Sequence, residues 1–142
     1  MMMADVNILA NAFRTDAADH EVCRRWLDRV TDGNVAFGVS PQVLSSVIRV
    51  ATHHKIFDPP SILSEVLAFC EFLLSHPNAR PLQPGEGHWQ IFRRLCLAAN
   101  AHDNLVPDAW FAALAIEHGC EWITLDRDFA RFPGLKWSVP ST

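Results

Sequence analysis

The sequence predicts an α/β protein of three layers, in which a short and mostly parallel sheet is flanked by helices on both faces. The chain has 142 residues, a length typical of one domain, and 49% of them are hydrophobic, enough for a sizeable core. Short apolar stretches of strand type alternate with segments of helical periodicity, which is typical of a parallel sheet covered on both sides. We therefore expect a single domain spanning residues 1–142.

The first half of the chain is predicted to contain two strands and four helices. The strands span residues 1–4 and 35–39, and the helices span residues 7–13, 20–31, 41–52 and 61–74. Asp19, Ser40 and Ser61 stand where a helix N-cap is expected, and Pro41 suits a first helical turn. The last of these helices is apolar nearly all round, which predicts either deep burial or a subunit interface.

The second half is predicted to continue the alternation. Strands are expected at residues 80–82, 121–125 and, as an edge strand, 135–139, and helices at residues 87–100 and 107–118. Pro107 suits the first turn of the latter helix, and Gly119 suits its end. This helix carries a small-residue face that can lie close against a sheet, made of Ala109, Ala112, Ala113 and Ile116.

Three aspartates occupy positions that a parallel sheet brings together. Asp5 follows the first strand and precedes a helix, Asp108 opens a helix, and Asp126 follows a buried strand. In an open α/β sheet such positions face one crevice, where three carboxylates repel each other unless a hard cation lies among them. Each acid alone has an ordinary explanation as a turn, helix-start or cap residue, so it is the combination that predicts a metal site.

Composition and charge indicate the location of the protein, the state of its cysteines and the kind of nucleic-acid binding it can have. No apolar run reaches the ~18 residues of a membrane span, and the N-terminus lacks a basic region followed by an apolar core, so we expect a cytoplasmic protein. The four cysteines form no Cys-x-x-Cys pair, which favours buried free thiols. A net charge of −4 argues against a general nucleic-acid coat, although it does not exclude a nuclease whose own site is acidic.

Two blocks of the chain resemble the PIN domain of VapC-type toxins. They are Asn104-Leu-Val-x-Asp108-Ala-x-x-Ala-Ala-Leu-Ala-x-Glu-x-Gly119 and Thr124-Leu-Asp126-Arg-Asp128-Phe129, and Asp5-Val-Asn7-Ile-Leu adds a weaker match near the start. The resemblance implies a PIN-like sandwich and a Mg²⁺- or Mn²⁺-dependent ribonuclease that cuts particular RNAs, often tRNA or rRNA. It also implies that a small cognate antitoxin silences the enzyme.

The resemblance assigns a role to each polar residue of these blocks. Asp5, Asp108 and Asp126 would hold the metal and serve catalysis, and Asp128 would be an outer or second-metal ligand. Asn7 and Thr124 would orient the carboxylates.

The third helix departs from the family pattern. The family places a Glu three residues before an Arg there, whereas this chain has Ser46 before Arg49. The missing acid weakens the case for a second metal ion. Arg49 can still reach a phosphate across the crevice, or it can be an ordinary solvated helix residue.

Two other functions compete with a ribonuclease. Asp5-Val-Asn7 loosely resembles the start of haloacid-dehalogenase-type phosphatases, but that chemistry needs an acid where Asn7 stands. A catalytically weakened PIN domain that acts as an RNA- or partner-binding module is the stronger alternative, because Ser46 replaces an acid. For partners we expect RNA, the antitoxin and a second copy of the chain in a homodimer, the last because one small domain can hardly cover the apolar helix 61–74.

Overall fold

A parallel sheet of five short strands forms the centre of the structure, a computed structural model that describes residues 1–141. The strand order is β3-β2-β1-β4-β5, and each neighbouring pair is parallel. The strands are β1 (Met2–Ala4), β2 (Phe37–Val39), β3 (Ala79–Pro81), β4 (Glu121–Ile123) and β5 (Trp137–Ser138). The predicted fold class is confirmed, with a sheet that is parallel throughout the described residues.

Helices connect the strands and form the outer layers. They are α1 (Val6–Phe13), α2 (His20–Asp32), α3 (Pro41–Ala51), α4 (Leu63–Ser75), α5 (His88–Ala99) and α6 (Leu105–Glu117), and a 3-10 helix spans Arg127–Arg131. Helix α1 packs against α2 and α3, and α5 packs against α6. None of the helices between residues 1 and 141 is long and apolar enough to cross a membrane.

Two helices begin with a side-chain cap, of which the cap at Ser40 was predicted and the cap at Asp5 was not. Asp5 caps α1, where its side chain accepts a hydrogen bond from the backbone N–H of Val6 at 2.6 Å. Ser40 caps α3 by accepting from the N–H of Val43 at 3.4 Å, and Pro41 follows at the first helical position. Both caps stand directly after a strand, so each helix starts at the carboxyl edge of the sheet.

One predicted cap is wrong, and another occupies the predicted position without making a cap hydrogen bond. The N-cap position of α4 is occupied by Ile62, because the hydroxyl of Ser61 instead accepts a hydrogen bond from Arg14 at 3.1 Å. Asp19 occupies the N-cap position of α2, but its side chain makes no cap hydrogen bond. These two helix starts therefore depend on packing rather than on a polar cap.

The strands are shorter than predicted because backbone groups at their ends bind side chains instead of the neighbouring strand. Strand β4 was expected to reach Leu125 but ends at Ile123, and the N–H of Leu125 donates to the side chain of Asn7 at 3.2 Å. The predicted edge strand 135–139 forms only at Trp137–Ser138. The chain therefore leaves the sheet early at the edge where the aspartates lie.

Helix α6 ends on a glycine for a steric reason. Gly119 has a φ of +67°, a left-handed conformation that residues with a Cβ rarely adopt. This conformation lets the N–H of Cys120 donate back to the carbonyl of Ala115 at 2.8 Å, which satisfies an otherwise unpaired group of the last turn. The chain then enters β4 directly.

The order of the strands determines where a site can form. Strand β1 lies between β2, the next strand along the chain, and β4, which comes much later. The connection from β1 to β2 and the connection from β4 to β5 thus run in opposite directions, and a crevice opens beyond the carboxyl ends of β1 and β4. Asp5 follows β1, and Asp126 follows β4.

Candidate active site

Asp5 is the most constrained carboxylate of the crevice. It is 6% exposed. Its Oδ1 accepts from the N–H of Val6, and its Oδ2 accepts from the hydroxyl of Thr124 at 2.7 Å and from Nδ2 of Asn7 at 3.2 Å. Its own N–H donates to the carbonyl of Ile123 at 2.8 Å. These bonds fix the orientation of the carboxylate.

Thr124 and Asn7 extend this network to Asp126. The Thr124 hydroxyl oxygen accepts from the N–H of Asp126 at 3.0 Å and from Nδ2 of Asn7 at 3.4 Å. The carboxylate of Asp126 accepts from the N–H of Asp128 at 2.9 Å and caps the 3-10 helix. This hydrogen-bonded arrangement supports the predicted roles of Asn7 and Thr124 as residues that orient the carboxylates.

Asp108 enters the crevice from α6. It lies in the first turn of that helix and is partly buried. The small side chains of Ala109, Ala112 and Ala113 are fully buried beneath it, as predicted, although Ile116 remains partly exposed. A small-residue face of this kind lets the helix axis approach the sheet, which brings Asp108 to the end of β1.

The pKa values show that the acids share one electrostatic environment. Burial raises the pKa of Asp5 to about 6, aided by the charge of Asp126 and opposed by the hydrogen bonds from Thr124, Val6 and Asn7. Burial also raises the pKa of Asp108 to about 7, and the charges of Asp5, Asp126 and Asp128 raise it further. The crevice therefore holds more negative charge than its own groups compensate.

Helix α3 forms the opposite wall of the crevice. Four of its residues face the acids at the spacing of one helical stripe, namely Gln42, Ser46, Arg49 and Val50. The open cleft between the walls has a volume of about 650 Å³. Ser46 and Arg49 therefore stand where the sequence predicts them, and Arg49 is exposed with no ion pair to any described residue.

Asp128 lies apart from the other three acids. It is exposed, and its Oδ1 lies 3.9 Å from Nε of Arg131, a weak surface pairing. It does not line the cleft, although its charge contributes to the raised pKa of Asp108. In this arrangement Asp128 can influence the cleft through its field rather than through contact.

Asp5, Asp108 and Asp126 line the same cleft, but their carboxylates do not converge on a single point. Among the residues described by the structure, no three acidic, histidine or cysteine side chains converge closely enough to form a metal-binding cluster. This result contrasts with the mutual charge effects on the pKa of Asp108. Both observations hold together if the acids are close enough to repel each other but their carboxylates do not converge on one point.

Sequence reasoning missed several residues of the cleft, three of which have amide side chains. Asn104 lines it just before α6, Asn11 lines it from α1, Gln42 lines it from α3, and the apolar Phe111 lines it from α6. Helical spacing could have identified two of them, because Gln42 lies one turn before Ser46 and Asn104 one turn before Asp108. No comparable pattern in the sequence indicates Asn11, whose side chain donates to the carbonyl of Asn7 at 2.7 Å.

Comparison with known families agrees with this geometry. The family model described as PIN domain matches residues 2–135. This chain belongs to the PIN domain family. Its PIN domain is 40% identical over 140 residues to Ribonuclease VapC31 of Mycobacterium tuberculosis, and the match covers 99% of each chain. The resemblance inferred from the acidic blocks is thereby confirmed.

Solved structures share the PIN fold at lower sequence identity. The VapBC2 complex of Rickettsia felis, bound to a DNA fragment from its promoter, matches with a TM-score of 0.69 at 16% identity, covering 97% of each chain. The sarcin-ricin loop cleaving toxin VapC20 of Mycobacterium tuberculosis matches with a TM-score of 0.66 at 14% identity, covering 95% of this chain and 98% of that chain. At such identities the comparison supports the fold alone.

Proposed function

We propose that this protein is the toxin of a type II toxin–antitoxin pair and acts as a metal-dependent, site-specific endoribonuclease. The observation that carries the proposal is the cleft, where Asp5, Asp108 and Asp126 face an exposed Arg49 in a PIN domain. The 40% identity to a protein named ribonuclease supports the reaction class.

The three acids suit a hard divalent cation. Their oxygens are the ligands that Mg²⁺ and Mn²⁺ prefer, and a cation would relieve the repulsion that raises the pKa of Asp108. Asp5, Asp108 and Asp126 would hold the ion, with Asp128 as an outer ligand. When bound, such an ion binds the scissile phosphate and lowers the pKa of its water.

The other residues of the cleft position groups around this centre. Thr124 and Asn7 keep the Asp5 carboxylate in place by the two hydrogen bonds to its Oδ2. Arg49 supplies a positive charge on the far wall, where it can contact an RNA phosphate. Ser46 is neutral, so α3 contributes no carboxylate and the site is better suited to one ion than to two.

We infer that the substrate is a structured cellular RNA, with tRNA or rRNA as the leading classes. VapC20, which shares the fold, is described as a sarcin-ricin loop cleaving toxin. The cleft is open and lined by amide side chains as well as acids, which suits an unpaired strand whose bases are splayed out.

We propose two protein partners, a cognate antitoxin and a second copy of this chain. The VapBC2 structure is a toxin–antitoxin complex, which supports an antitoxin here. Helix α4 and the residue before it expose large apolar side chains, namely Ile62, Leu63, Leu67, Phe72 and Leu74. Leu63, Leu67 and Leu74 recur at helical spacing on one side of α4, where we place the dimer contact, and an antitoxin arginine can occupy the cleft among the carboxylates.

Cleavage of purified RNA with and without metal tests the enzymatic proposal. We expect cuts at discrete sites in total RNA when Mg²⁺ or Mn²⁺ is present, no cuts in EDTA, and recovery when the metal is added back. Undiminished cleavage in EDTA would contradict metal dependence. RNA binding without cleavage under every metal condition would instead favour the weakened binding module, for which Ser46 is the supporting observation.

Light scattering at micromolar concentration tests the dimer. We expect twice the mass of one chain, and Leu67→Lys should convert it to one chain because a charge would be buried at the contact. Arg80→Lys, an exposed substitution outside α4, is the matched control and should leave the mass unchanged. A strictly monomeric wild type would contradict the dimer.

A further inference from the structure

Helices α3 and α6 face each other across the cleft with little direct packing. Helix α3 packs on α1 and α4, whereas α6 packs on α5 and β4. Within residues 1–141, one side-chain hydrogen bond joins the two walls: Nε1 of Trp110 donates to Oε1 of Gln42 at 2.6 Å. This bond ties a residue that lines the cleft to one that lies behind it.

The bond determines which way the Gln42 amide faces. An indole nitrogen can only donate, and a carboxamide accepts only through its oxygen. Oε1 must therefore face Trp110, and Nε2 must point elsewhere. Nε2 has no hydrogen-bond partner among the described residues, and Gln42 lines the cleft. The α3 wall thus presents two N–H donors whose orientation is fixed.

Trp110 is itself held in place. Its ring packs edge-on against His88 with ring centroids 4.2 Å apart, and against Phe92 at 5.1 Å. His88 is 2% exposed, and its Nε2 lies 3.0 Å from the carbonyl of Trp110, which can only accept. Nε2 of His88 therefore carries the proton. Because Trp110 is held in place, the Gln42 amide that it orients loses little conformational freedom when it binds a ligand.

We propose that Gln42 determines base specificity by donating to a nucleobase beside the scissile phosphate. This inference rests on the proposed ribonuclease function. Its N–H groups pair with carbonyl acceptors, which are O6 of guanine and O4 of uracil, whereas cytosine and adenine place amino donors at the equivalent edge. The protein therefore prefers guanine or uracil at one position next to its cut, because an amino group there would face a donor.

A single-stranded RNA pool of random sequence tests the proposal, with cleavage sites read by sequencing in the presence of Mn²⁺. The wild type should favour guanine or uracil over adenine and cytosine at one position by about threefold to tenfold, the discrimination that one hydrogen bond supplies. Trp110→Phe keeps the ring against His88 and Phe92 but removes the N–H. Gln42 can then face either way, and the preference should disappear while cleavage continues.

A second variant tests the donor directly. Gln42→Glu keeps the acceptor for Trp110 but replaces the donors with an acceptor, so the preference should shift toward adenine or cytosine. Gln90→Glu adds the same charge on the exposed surface of α5 and is the matched control, which should retain the wild-type profile. If Gln42 has only a structural role, Gln42→Glu should change the cleavage rate by the same factor for all RNA sequences.

The outcomes separate this inference from the function on which it rests. A wild type that cleaves with no base preference, or variants that keep the wild-type profile, would overturn the role of Gln42 and leave the ribonuclease intact. A wild type that cleaves no RNA would overturn both.

Discussion

The two walls of the cleft are built in different ways. At the strand ends, Asp5 receives three hydrogen bonds through its carboxylate, and Thr124 connects it to the backbone of Asp126. On α3, Ser46 makes no side-chain hydrogen bond to the described residues and Arg49 forms no ion pair with them, so neither is held by polar contacts. The strand-end wall is thus held by polar contacts before any ligand binds, whereas on α3 only Gln42 is held in this way and Ser46 and Arg49 can adapt to the ligand.

This difference separates binding of an ion from binding of RNA. The rigid wall holds acidic charge at a cost in stability, because burial raises the pKa of both Asp5 and Asp108. The α3 wall bears the neutral hydroxyl of Ser46 and the exposed guanidinium of Arg49, groups that suit contact with an RNA backbone. Substitutions on the rigid wall should therefore have the larger effects.

The largest effect is expected for Asp108→Asn. The change keeps the size of the side chain but removes a charge that would hold the ion, so cleavage should fall by a factor on the order of 10² or more, as when an essential electrostatic group is lost. Stability of the metal-free protein should be equal or higher, because repulsion with Asp5 and Asp126 disappears. Cleavage assays and thermal melts would measure both effects.

The pH dependence of the melt checks the origin of that gain. The pKa of Asp108 is raised from 3.8 to about 7, so the folded state binds the proton more tightly than the unfolded chain does. Between about pH 7 and pH 4, acidification should therefore stabilise the wild type through this group. Asp108→Asn should lack that contribution, whereas Asp32→Asn, an exposed acid on α2, should retain it. Equal pH profiles for all three proteins would contradict the assignment.

Thr124→Val should have the next largest effect. Valine has nearly the same shape, but it leaves Asp5 without its 2.7 Å donor and the N–H of Asp126 without its acceptor. We expect a loss of about 1–3 kcal/mol in the free energy of unfolding, the typical cost of unsatisfied buried groups. Chemical denaturation would measure this loss.

The same variant should alter the pH dependence of cleavage. The hydrogen bond from Thr124 lowers the pKa of Asp5, so its removal raises that pKa. Less of the carboxylate is then ionised at a given pH, and the acidic limb of the rate profile should move to higher pH. Thr31→Val, which removes an exposed hydroxyl bond on α2, is the control. A profile that stays in place would show that Asp5 does not limit the rate.

Ser46→Glu would make the two walls more alike. A fourth carboxylate in the cleft should tighten Mn²⁺ binding by about tenfold or more, roughly 1.4 kcal/mol. Without metal the same change should lower the melting temperature, because it adds a repelling charge. Calorimetry on both forms would measure the pair of effects. Ser45→Glu adds the charge one residue away, on the side facing α4, and should leave Mn²⁺ affinity unchanged.

Arg49→Ala should have the smallest effect. Arg49 makes no ion pair with the described residues, so the free energy of unfolding should change by less than about 0.5 kcal/mol. Loss of one phosphate contact should raise KM for RNA severalfold and leave Mn²⁺ affinity unchanged. Arg24→Ala on α2 serves as the control. A large loss of kcat with unchanged KM would instead place Arg49 in the chemical step.

Sequence reasoning succeeded where a residue's surroundings come from its neighbours in the chain. Alternating strands and helices predicted the parallel sheet, and the positions of Asp5, Asp108 and Asp126 at strand and helix ends predicted their shared crevice. Reasoning failed where a distant group competes for a side chain. Arg14 donates to the hydroxyl of Ser61, which does not cap α4. The side chain of Asn7 accepts from the N–H of Leu125, which therefore does not extend the ladder of β4.

The bond between Trp110 and Gln42 shows the same limit. It joins residues 68 positions apart on two helices, and no periodicity within either helix encodes the distance between them. The metal-ligand roles of the four aspartates also stay predictions, and among the described residues the acids form no metal-binding cluster.

The position of β1 in the centre of the sheet has a consequence for synthesis of the chain. Asp5 is synthesised before its partner Thr124, which lies 119 positions later in the chain. Until β4 has been synthesised, a nascent chain therefore carries Asp5 with one side of β1 unpaired and no Thr124 to orient the carboxylate. The acids of the cleft are complete only when Asp126 has been added. A protein that cuts RNA in this cleft would thus lack its full site while the residues between Asp5 and Asp126 are being synthesised.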